Sequence, residues 1–284
     1  MKNILMLTDF SEAADNAAEY AARLATALKA NIILFHTINV PEAALVSSII
    51  DEPREEDEHS VKEALMKLEI LTKKLHIVLK EETDHETQLS FFAQTGSIKC
   101  CINKVAADHK IDLIVFGARQ YNEFPGFLFG LNIMGVVDAS PCPVLLVHQH
   151  TLYRPIKNIF YVTDVRYSDL KVVTLVTNFA RLLRSDVSLL HVGTDGLPAL
   201  LNEEAEAIFL DTIASGISYK HLTYYNTNSM DTQSAFRSII EKHSMDILAI
   251  AHKKHHFFNY LFKKNLERDP AVFTQIPILI IPDN

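Results

Sequence analysis

The residues best suited to bind a ligand follow two short apolar runs of the chain. Thr8 and Asp9 come after the run that begins at Asn3, and Gly117 follows the run that ends at Phe116. A carboxylate at Asp9 can accept hydrogen bonds from a ribose or an adenine. Glycines after Phe116 would let backbone N–H groups approach phosphates at a helix N-terminus, because glycine has no Cβ. These residue types predict a site of the nucleotide-binding kind.

The same residues also have a purely structural interpretation. The dipeptide Thr8-Asp9 can form a turn that caps the helix after it. Gly117 and Gly130 can serve a tight strand-to-helix turn and close packing of a helix. The residue types alone leave both interpretations open.

Short apolar runs separated by helical patterns must position these residues. The ten runs lie at 3–8, 31–37, 88–94, 112–116, 143–147, 157–163, 186–192, 220–226, 246–250 and 277–281. Because apolar and polar residues do not alternate within them, they are typical of parallel strands buried on both faces. Amphipathic helices between the strands predict a doubly wound α/β sheet. Ligands of such sheets bind beyond the carboxyl ends of the strands, where the strand order reverses.

The chain contains two copies of this unit. The pairs that match at an offset of 155 residues are 3–9 with 158–164 and 33–36 with 188–191. The pairs that match at an offset of 134 are 111–115 with 245–249 and 142–146 with 276–280. The sequence therefore predicts two tandem domains with five strands each, at residues 1–151 and 152–284.

The difference between the two offsets shows that the first copy is 21 residues longer than the second. We assign this extra length to residues 41–60, which contain the acidic run 51–58. A run of this composition is typical of a solvated loop, and we prefer that interpretation to a metal or partner site.

Composition excludes several classes of protein. The chain has 284 residues, of which 48% are hydrophobic, and this is enough to build a core in each of two domains. A net charge of −8 would repel a nucleic-acid backbone, so nucleic acid is not an expected partner. No apolar stretch is long enough to span a membrane, and the first one ends too soon for a signal peptide. With three cysteines, a disulfide framework is not expected, and we predict a cytoplasmic location.

Metal binding and catalysis lack support in the sequence. The densest histidine groups, 252–256 and 148–150, have no cysteine nearby, so we favour solvated residues over a zinc site. No Gly-x-Ser-x-Gly motif is present, and Cys100 and Cys101 have no identifiable base. We therefore predict no metal, no catalytic residue and no dedicated enzyme, with slow ATP hydrolysis left open.

The sequence resembles the universal stress protein family over nearly its whole length, as a tandem pair of that family's domain. The segments that carry the resemblance are the opening 4–12, which contains Thr8-Asp9-Phe10-Ser11, and the closing 141–147. The resemblance implies a role in the stress response and a fold like that of the adenine nucleotide alpha hydrolases. It also implies that the fifth strands, 143–147 and 277–281, pair across a pseudo-dimer within one chain.

ATP-binding members of that family carry Gly-x2-Gly-x9-Gly-Ser/Thr after the fourth strand. Here Gly117 and Gly130 occupy the first and third glycine positions, while Gln120 and Leu131 replace the second glycine and the hydroxyl residue. Both replacements act against phosphate binding, since Gln120 adds bulk and Leu131 removes a donor. The corresponding residues of the second copy are Ala251, Lys254, Lys264 and Asn265. No glycine remains there, so we expect the second copy not to bind ATP in the family's manner.

Two hypotheses of function follow. In the first, only the first copy binds ATP with Mg or a similar nucleotide, and binding alters the affinity for an unidentified protein partner. The expected contacts are Asp9, Thr37, Phe116, Gly117, Gly130 and Asn132. In the second, nucleotide binding is lost and the protein is an interaction scaffold that acts through its loops, including the aromatic runs 122–129 and 256–262. The sequence is compatible with a monomer that contains an intramolecular pseudo-dimer and with a homodimer.

Overall fold

The structure of the chain is a computed structural model that describes most of its residues. The described residues are 1–38, 55–80, 87–118, 133–163, 165, 169–192, 199–227, 244–252 and 276–282. They form two compact units, Met1–Tyr153 and Arg154–Asp283. Within this part of the chain, no helix has both the length and the apolar character that crossing a membrane requires.

The first unit is a five-stranded parallel sheet with helices between its strands. Its elements are β1 (Asn3–Leu7), α1 (Glu12–Leu28), β2 (Asn31–Ile38), α2 (Glu55–Lys80), β3 (Leu89–Thr95), α3 (Ile98–Asp108), β4 (Leu113–Ala118), α4 (Ile133–Ala139) and β5 (Val144–His148). The strand order is β3-β2-β1-β4-β5, with every pair parallel. The chain passes from β1 to β2 on one side and later returns to β4 on the other. The strand order therefore reverses between β1 and β4.

The second unit repeats this topology. Its elements are β6 (Asn158–Thr163), α5 (Asp169–Leu183), β7 (Asp186–Val192), α6 (Ala199–Gly216), β8 (Leu222–Thr227), β9 (Ile247–Ala251) and β10 (Ile278–Ile281). Its strand order is β8-β7-β6-β9-β10, again with every pair parallel. The predicted fold, two doubly wound parallel sheets in tandem, is confirmed.

The central strands of both units are buried on both faces. Residues 4–7 of β1 and residues 247–251 of β9 are all buried, which explains why their sequences show no polar alternation. In the first unit α1 packs on β1, β4 and β5, and α2 packs on β2 and β3. Because parallel crossovers are right-handed, connections that run in opposite directions from β1 place helices on both faces of the sheet.

Helix α1 has clear start and stop signals. The hydroxyl of Ser11 accepts a hydrogen bond from the backbone N–H of Ala14 at 3.2 Å, which is the typical N-cap contact. Glu12 and Asp15 lie in the first turn, where carboxylates interact favourably with the helix dipole. The helix ends at Leu28, and Lys29, the residue after it, has a φ of 52°, which is the left-handed conformation of a C-terminal cap.

The amino ends of the two sheets are held by the same side-chain contact. Asp112 Oδ2 accepts from the backbone N–H of Lys2 at 2.5 Å, and Asp246 Oδ2 accepts from that of Lys157 at 2.8 Å. Each aspartate also accepts from the N–H of the asparagine that opens the neighbouring strand. These carboxylates lie at the edge opposite to the predicted ligand site, so we assign them a structural role.

One expectation about the acidic run is wrong in part. The sequence predicts a solvated loop at residues 51–58, but α2 begins at Glu55, and residues 55–60 belong to it. The physical reason is that α2 has a buried face further along, and packing of that face stabilises the polar turns that precede it. Residues 51–54 lie outside the described residues.

Candidate functional site

The candidate site lies where the strand order of the first unit reverses. Leu7 of β1 pairs with Phe116 of β4 and with Phe35 of β2. Asp9, Gly117 and Thr37 each follow one of these paired residues by one or two positions. The structure therefore brings them to one edge, at the carboxyl ends of β1, β4 and β2.

Four of the six predicted contact residues are thus at this edge, namely Asp9, Thr37, Phe116 and Gly117. Gly130 and Asn132 lie outside the described residues, as do Gln120 and Leu131. Phe116 is buried, and Asp9 and Thr37 are partly exposed. The placement satisfies the geometric condition for a site, and the binding role of the six residues stays a prediction.

A tight turn connects β1 to α1. The side chain of Thr8 is fully buried, and its Oγ1 accepts from the backbone N–H of Phe10 at 3.0 Å. The carboxylate of Asp9 accepts from the backbone N–H of Ser11 at 3.0 Å. Phe10 has a φ of 60°, which is unusual for a residue that is not glycine. Both side chains therefore help to hold a left-handed turn, although a carboxylate can accept about four hydrogen bonds in all.

Gly117 is required by the packing of α1. A Cβ at this position would lie 2.4 Å from the carbonyl oxygen of Ala13 and 2.7 Å from the backbone nitrogen of Ala14. No other residue can occupy this position unless the first turn of α1 moves away from β4. The packing of α1 therefore explains the glycine at this position, whether or not a phosphate binds nearby.

An aromatic and cationic cluster that the sequence does not predict lies beside this turn. We call it the Phe10 cluster, and it consists of Phe10, His36 and Lys67. The ring centroids of Phe10 and His36 are 4.5 Å apart, and Lys67 Nζ lies 5.5 Å from the centroid of Phe10. The second distance is within the range of a cation–π interaction. The sequence contains one indication that His36 has a specific role, because the repeat aligns His36 with His191.

The orientation of the His36 ring is fixed by a backbone contact. Its Nδ1 lies 2.8 Å from the carbonyl oxygen of Thr8. Because a carbonyl oxygen can only accept, Nδ1 carries the proton in this hydrogen bond. In the neutral ring Nε2 is then the acceptor, so the ring can offer a lone pair to a ligand hydroxyl or amino group.

Lys67 brings positive charge to this edge. Its ammonium group forms an ion pair with Glu63 at 2.7 Å, one turn earlier on α2. The hydrogen bond and the charge of Lys67 lower the pKa of Glu63. Another lysine of α2, Lys74, pairs with Glu19 and Asp15 at 2.9 Å and 3.4 Å and so connects α2 to α1. The hydrogen bond that Lys74 donates to Glu19 is the main cause of the raised pKa of Lys74.

The cysteines of the first unit are poorly suited to nucleophilic chemistry. Burial raises the pKa of Cys101, and it raises that of Cys142 to about 11. Both thiols are therefore protonated at neutral pH, and only a thiolate is a strong nucleophile. Cys100 is exposed on α3. These positions offer no support for a catalytic cysteine.

His148, the last residue of β5, forms a small cluster with His150. The backbone N–H of His150 donates to Nδ1 of His148 at 3.4 Å, and the side chain of Asn16 donates to the carbonyl oxygen of His148 at 2.9 Å. Burial, followed by the charge of His150, lowers the pKa of His148 to about 4. Among the described residues, no three His, Cys, Asp or Glu side chains are arranged to hold a metal ion. Residues 253–256 lie outside the described part of the chain.

The corresponding edge of the second unit shares the turn but not the cluster. Thr163 Oγ1 accepts from the backbone N–H of Val165 at 3.0 Å, and Val165 has a φ of 61°. Valine thus stands where the first unit has the aromatic ring of Phe10. Ala251 occupies the position that corresponds to Gly117, and it is buried. Asp164, Lys254, Lys264 and Asn265 lie outside the described residues, so the loss of the motif stays a prediction.

Known proteins similar to this chain agree on one family. The family described as "Universal stress protein family" matches residues 1–148. Universal stress protein MJ0577 of Methanocaldococcus jannaschii is 28% identical over 154 residues, which cover 51% of this chain and 94% of that protein.

Solved structures resemble the whole chain. A universal stress protein from Archaeoglobus fulgidus DSM 4304 is 15% identical with a TM-score of 0.65, covering 99% of this chain and 98% of its own. A Pseudomonas aeruginosa UCBPP-PA14 protein assigned to the same family is 14% identical with a TM-score of 0.53. The match covers 99% of this chain and 93% of the Pseudomonas chain. At these identities the two structures show a shared fold. Because the family match covers more than half of the residues, the chain belongs to the universal stress protein family.

Proposed function

We propose that this protein is a stress-response protein whose first unit binds an adenine nucleotide, while its second unit does not. The observation that carries the proposal is the convergence of Asp9, Thr37 and the Phe10 cluster at the carboxyl ends of β1 and β2. That edge adjoins the point between β1 and β4 where ligands of doubly wound sheets bind. Val165 and Ala251 at the corresponding positions of the second unit support the asymmetry.

The ligand class comes from the family and from the chemistry of the edge. An Arabidopsis thaliana member has been solved with AMP bound, and another universal stress protein has been solved in complex with cAMP. Those structures concern their own proteins. For this chain the support is a carboxylate, an aromatic ring and a histidine acceptor, which suit a ribose and a base, beside a lysine that suits a phosphate.

Two backbone N–H groups at the start of α1 are already used within the helix. The N–H of Ala14 donates to the Ser11 hydroxyl, and the N–H of Asp15 donates to the Ser11 carbonyl oxygen. Both donors are therefore already used by the cap. We assign the phosphates instead to Lys67 and to the segment after β4 that contains Gly130 and Asn132. A magnesium ion would arrive with the phosphates of ATP, because the described residues offer no metal cluster of their own.

The function we propose is binding and not dedicated catalysis. The described residues of the site include no nucleophile paired with a base, and the buried thiols of the first unit are protonated. Slow hydrolysis of a bound ATP is compatible with this proposal. The functional output would be a change in affinity for a protein partner.

A scaffold that has lost nucleotide binding is the second candidate. It is favoured by the finding that Gly117 is required by the packing of α1 and that Asp9 takes part in the turn before it. Both residues would be retained in a protein that binds no nucleotide. This candidate predicts that nucleotides give neither heat of binding nor thermal stabilisation.

Titration with adenosine, AMP and ATP tests the proposal and locates the phosphates. We expect calorimetry on the full chain to show saturable binding of ATP that weakens about tenfold in Lys67→Met, with adenosine unaffected, because one ion pair to a phosphate is lost. Lys62→Met is the matched control, since Lys62 lies on the same helix and has 70% side-chain exposure. Equal loss in both variants would contradict the role of Lys67, and absence of binding in the wild type would support the scaffold.

A further inference from the structure

The amino end of the second sheet carries a group of exposed basic side chains. Strands β6, β7 and β8 are neighbours there. The backbone N–H of Asp186 donates to the carbonyl oxygen of Lys157 at 2.7 Å, and that of Val187 donates to the carbonyl oxygen of residue 221 at 2.8 Å. The residues that precede the three strands are therefore close together. The exposed basic residues among them and at the end of α5, which we call the basic patch, are Lys157, Arg181, Arg184, Lys220 and His221.

An anchored tyrosine lies between two residues of the basic patch. The hydroxyl of Tyr219 donates to the carbonyl oxygen of Ser185. Cζ of Arg181 lies 5.4 Å from the centroid of the Tyr219 ring, which is within the range of a cation–π interaction. The ring centroid of His221 lies 6.1 Å from the same point. Because both side chains lie beside one ring, an extended segment of about four residues is long enough to reach both.

The guanidinium group of Arg181 is held in place and retains donors. Its Nη1 donates to Oδ1 of Asn178 at 2.9 Å, and its Nη2 donates to the carbonyl oxygen of Ser218 at 2.8 Å. These bonds use two of the five N–H groups that an arginine has. The others can bind a carboxylate outside the chain, and a guanidinium that is already positioned loses less entropy when it does so.

The two described aspartates of this edge already have partners. Oδ1 of Asp186 lies 2.9 Å from Nδ1 of His221. Oδ2 of Asp246 accepts from the backbone N–H groups of Lys157 and Asn158. Two lysines and two arginines thus lie beside two carboxylates that are engaged within the chain. The edge is locally positive although the net charge of the chain is −8, and such a region attracts a negatively charged partner.

The first unit has only part of this patch. Its residues that correspond to Arg181, Lys220 and His221, by the repeat offset and by the strand registers, are uncharged. They are Thr26, Thr87 and Gln88. The basic residues that both units share are Lys2 with Lys157 and Lys29 with Arg184. Basic residues that the fold itself required would be expected in both units, so the three additional ones require a separate explanation.

We propose that the basic patch is a docking surface for a short acidic segment of a partner protein. The inference is independent of the proposed nucleotide site, which lies in the other unit. A protein segment fits better than a nucleic acid, because a long polyanion would extend beyond the patch over a chain of net negative charge. Because the patch is exposed, we expect binding to weaken as the salt concentration rises.

Fluorescence anisotropy with a labelled octaglutamate peptide, in the absence of nucleotide, tests the docking surface. We expect the full chain to bind the peptide at low ionic strength. Arg181→Gln combined with Lys220→Gln should weaken binding about tenfold, because two charge-assisted contacts are lost. The matched control is Lys2→Gln combined with Lys29→Gln, which changes the net charge equally at the amino end of the first sheet. No binding by the wild type, or equal loss in both double variants, would overturn the proposal.

A single variant and a second probe complete the test. Lys220→Gln changes an exposed side chain and keeps the bonds of Arg181, so we expect about threefold weaker binding with an unchanged thermal unfolding midpoint. Unchanged affinity for the peptide in this variant would contradict the docking role of the patch. A labelled single-stranded octathymidylate is the nucleic-acid probe. If it bound more tightly than octaglutamate and lost affinity in the Arg181 and Lys220 double variant, the assignment to a protein partner would be overturned.

Discussion

The two units share a turn and differ in what surrounds it. In both, the backbone N–H of the second residue after a buried threonine donates to its hydroxyl, and that second residue has a φ near 60°. The first unit adds the Phe10 cluster and Gly117 to this turn, whereas the second unit has Val165 and Ala251. The turn that both units share is a requirement of the strand-to-helix connection. The features that differ are the ones that can confine ligand binding to the first unit.

The largest expected effect comes from making the first unit resemble the second at Gly117. We expect Gly117→Ala to lower the free energy of unfolding by about 3 kcal/mol, because the new Cβ would overlap the first turn of α1. The reverse change, Ala251→Gly, should cost only about 1 kcal/mol through chain entropy. Urea unfolding measures both. Equal effects of the two substitutions would show that α1 and α5 are packed in the same way after all.

The shared turn should be sensitive in both units, and more so in the second. Thr8→Val and Thr163→Val each remove the acceptor of a backbone N–H, which costs about 1–3 kcal/mol when the donor is left unsatisfied. Thr163 also donates to the buried Asp169 at 2.5 Å, so we expect its substitution to cost more. Thermal unfolding of both variants shows which substitution lowers the stability more. A larger loss for Thr8→Val would show that the bond to Asp169 adds nothing.

Acid should destabilise the first unit through His148. Its pKa is lowered to about 4 in the folded state and is about 6.5 in the unfolded state, so the unfolded chain binds more protons between these values. The stabilising contribution of the neutral ring is therefore complete above pH 6.5 and is lost as the pH falls towards 4. Between pH 7 and pH 5 we expect a loss of roughly 2 kcal/mol.

The second unit has Pro282 at the position that corresponds to His148, so this acid sensitivity is a property of the first unit. His148→Gln should remove most of the pH dependence between pH 7 and pH 5. Urea unfolding at both pH values is the measurement. An unchanged pH dependence in His148→Gln would assign the acid sensitivity to other groups.

The smallest effect on stability should come from the Phe10 cluster itself. Lys67 has 49% side-chain exposure, and ion pairs and cation–π contacts of such residues contribute little. We expect Lys67→Met to change the free energy of unfolding by less than about 0.5 kcal/mol. Urea unfolding checks this value. A loss above 1 kcal/mol would mean that the cluster serves folding, and any loss of nucleotide affinity in this variant would then need another explanation.

Much of the fold could be predicted from the sequence because buried parallel strands are uninterrupted apolar runs. All ten predicted strands are present, and their bounds differ from the observed ones by no more than two residues. The edge of the sheet that holds the candidate site could also be predicted, because the carboxyl ends of β1 and β4 must meet once the order reverses. The strands follow from the local pattern of apolar residues. The edge that holds the site follows from a topological rule that applies to all doubly wound sheets.

The contacts within the site could not be predicted in the same way. The need for a glycine at 117 arises from Ala13, which is distant in the chain, and the ring contact of Phe10 with His36 requires a left-handed residue that sequence patterns do not reveal. The helical start at Glu55 was missed because its first turns are polar, and their order depends on the buried face that follows. Long-range packing decides each of these features.

Nucleotide stoichiometry is the most direct test of the asymmetry between the units. The measurement is calorimetric titration of the full chain with Mg-ATP, in the wild type, Asp9→Ala and Asp164→Ala, the last being the matched substitution in the second copy. We expect one nucleotide per chain in the wild type, loss of binding in Asp9→Ala and unchanged binding in Asp164→Ala. Two nucleotides per chain, or binding that is lost in Asp164→Ala and retained in Asp9→Ala, would contradict a site confined to the first unit.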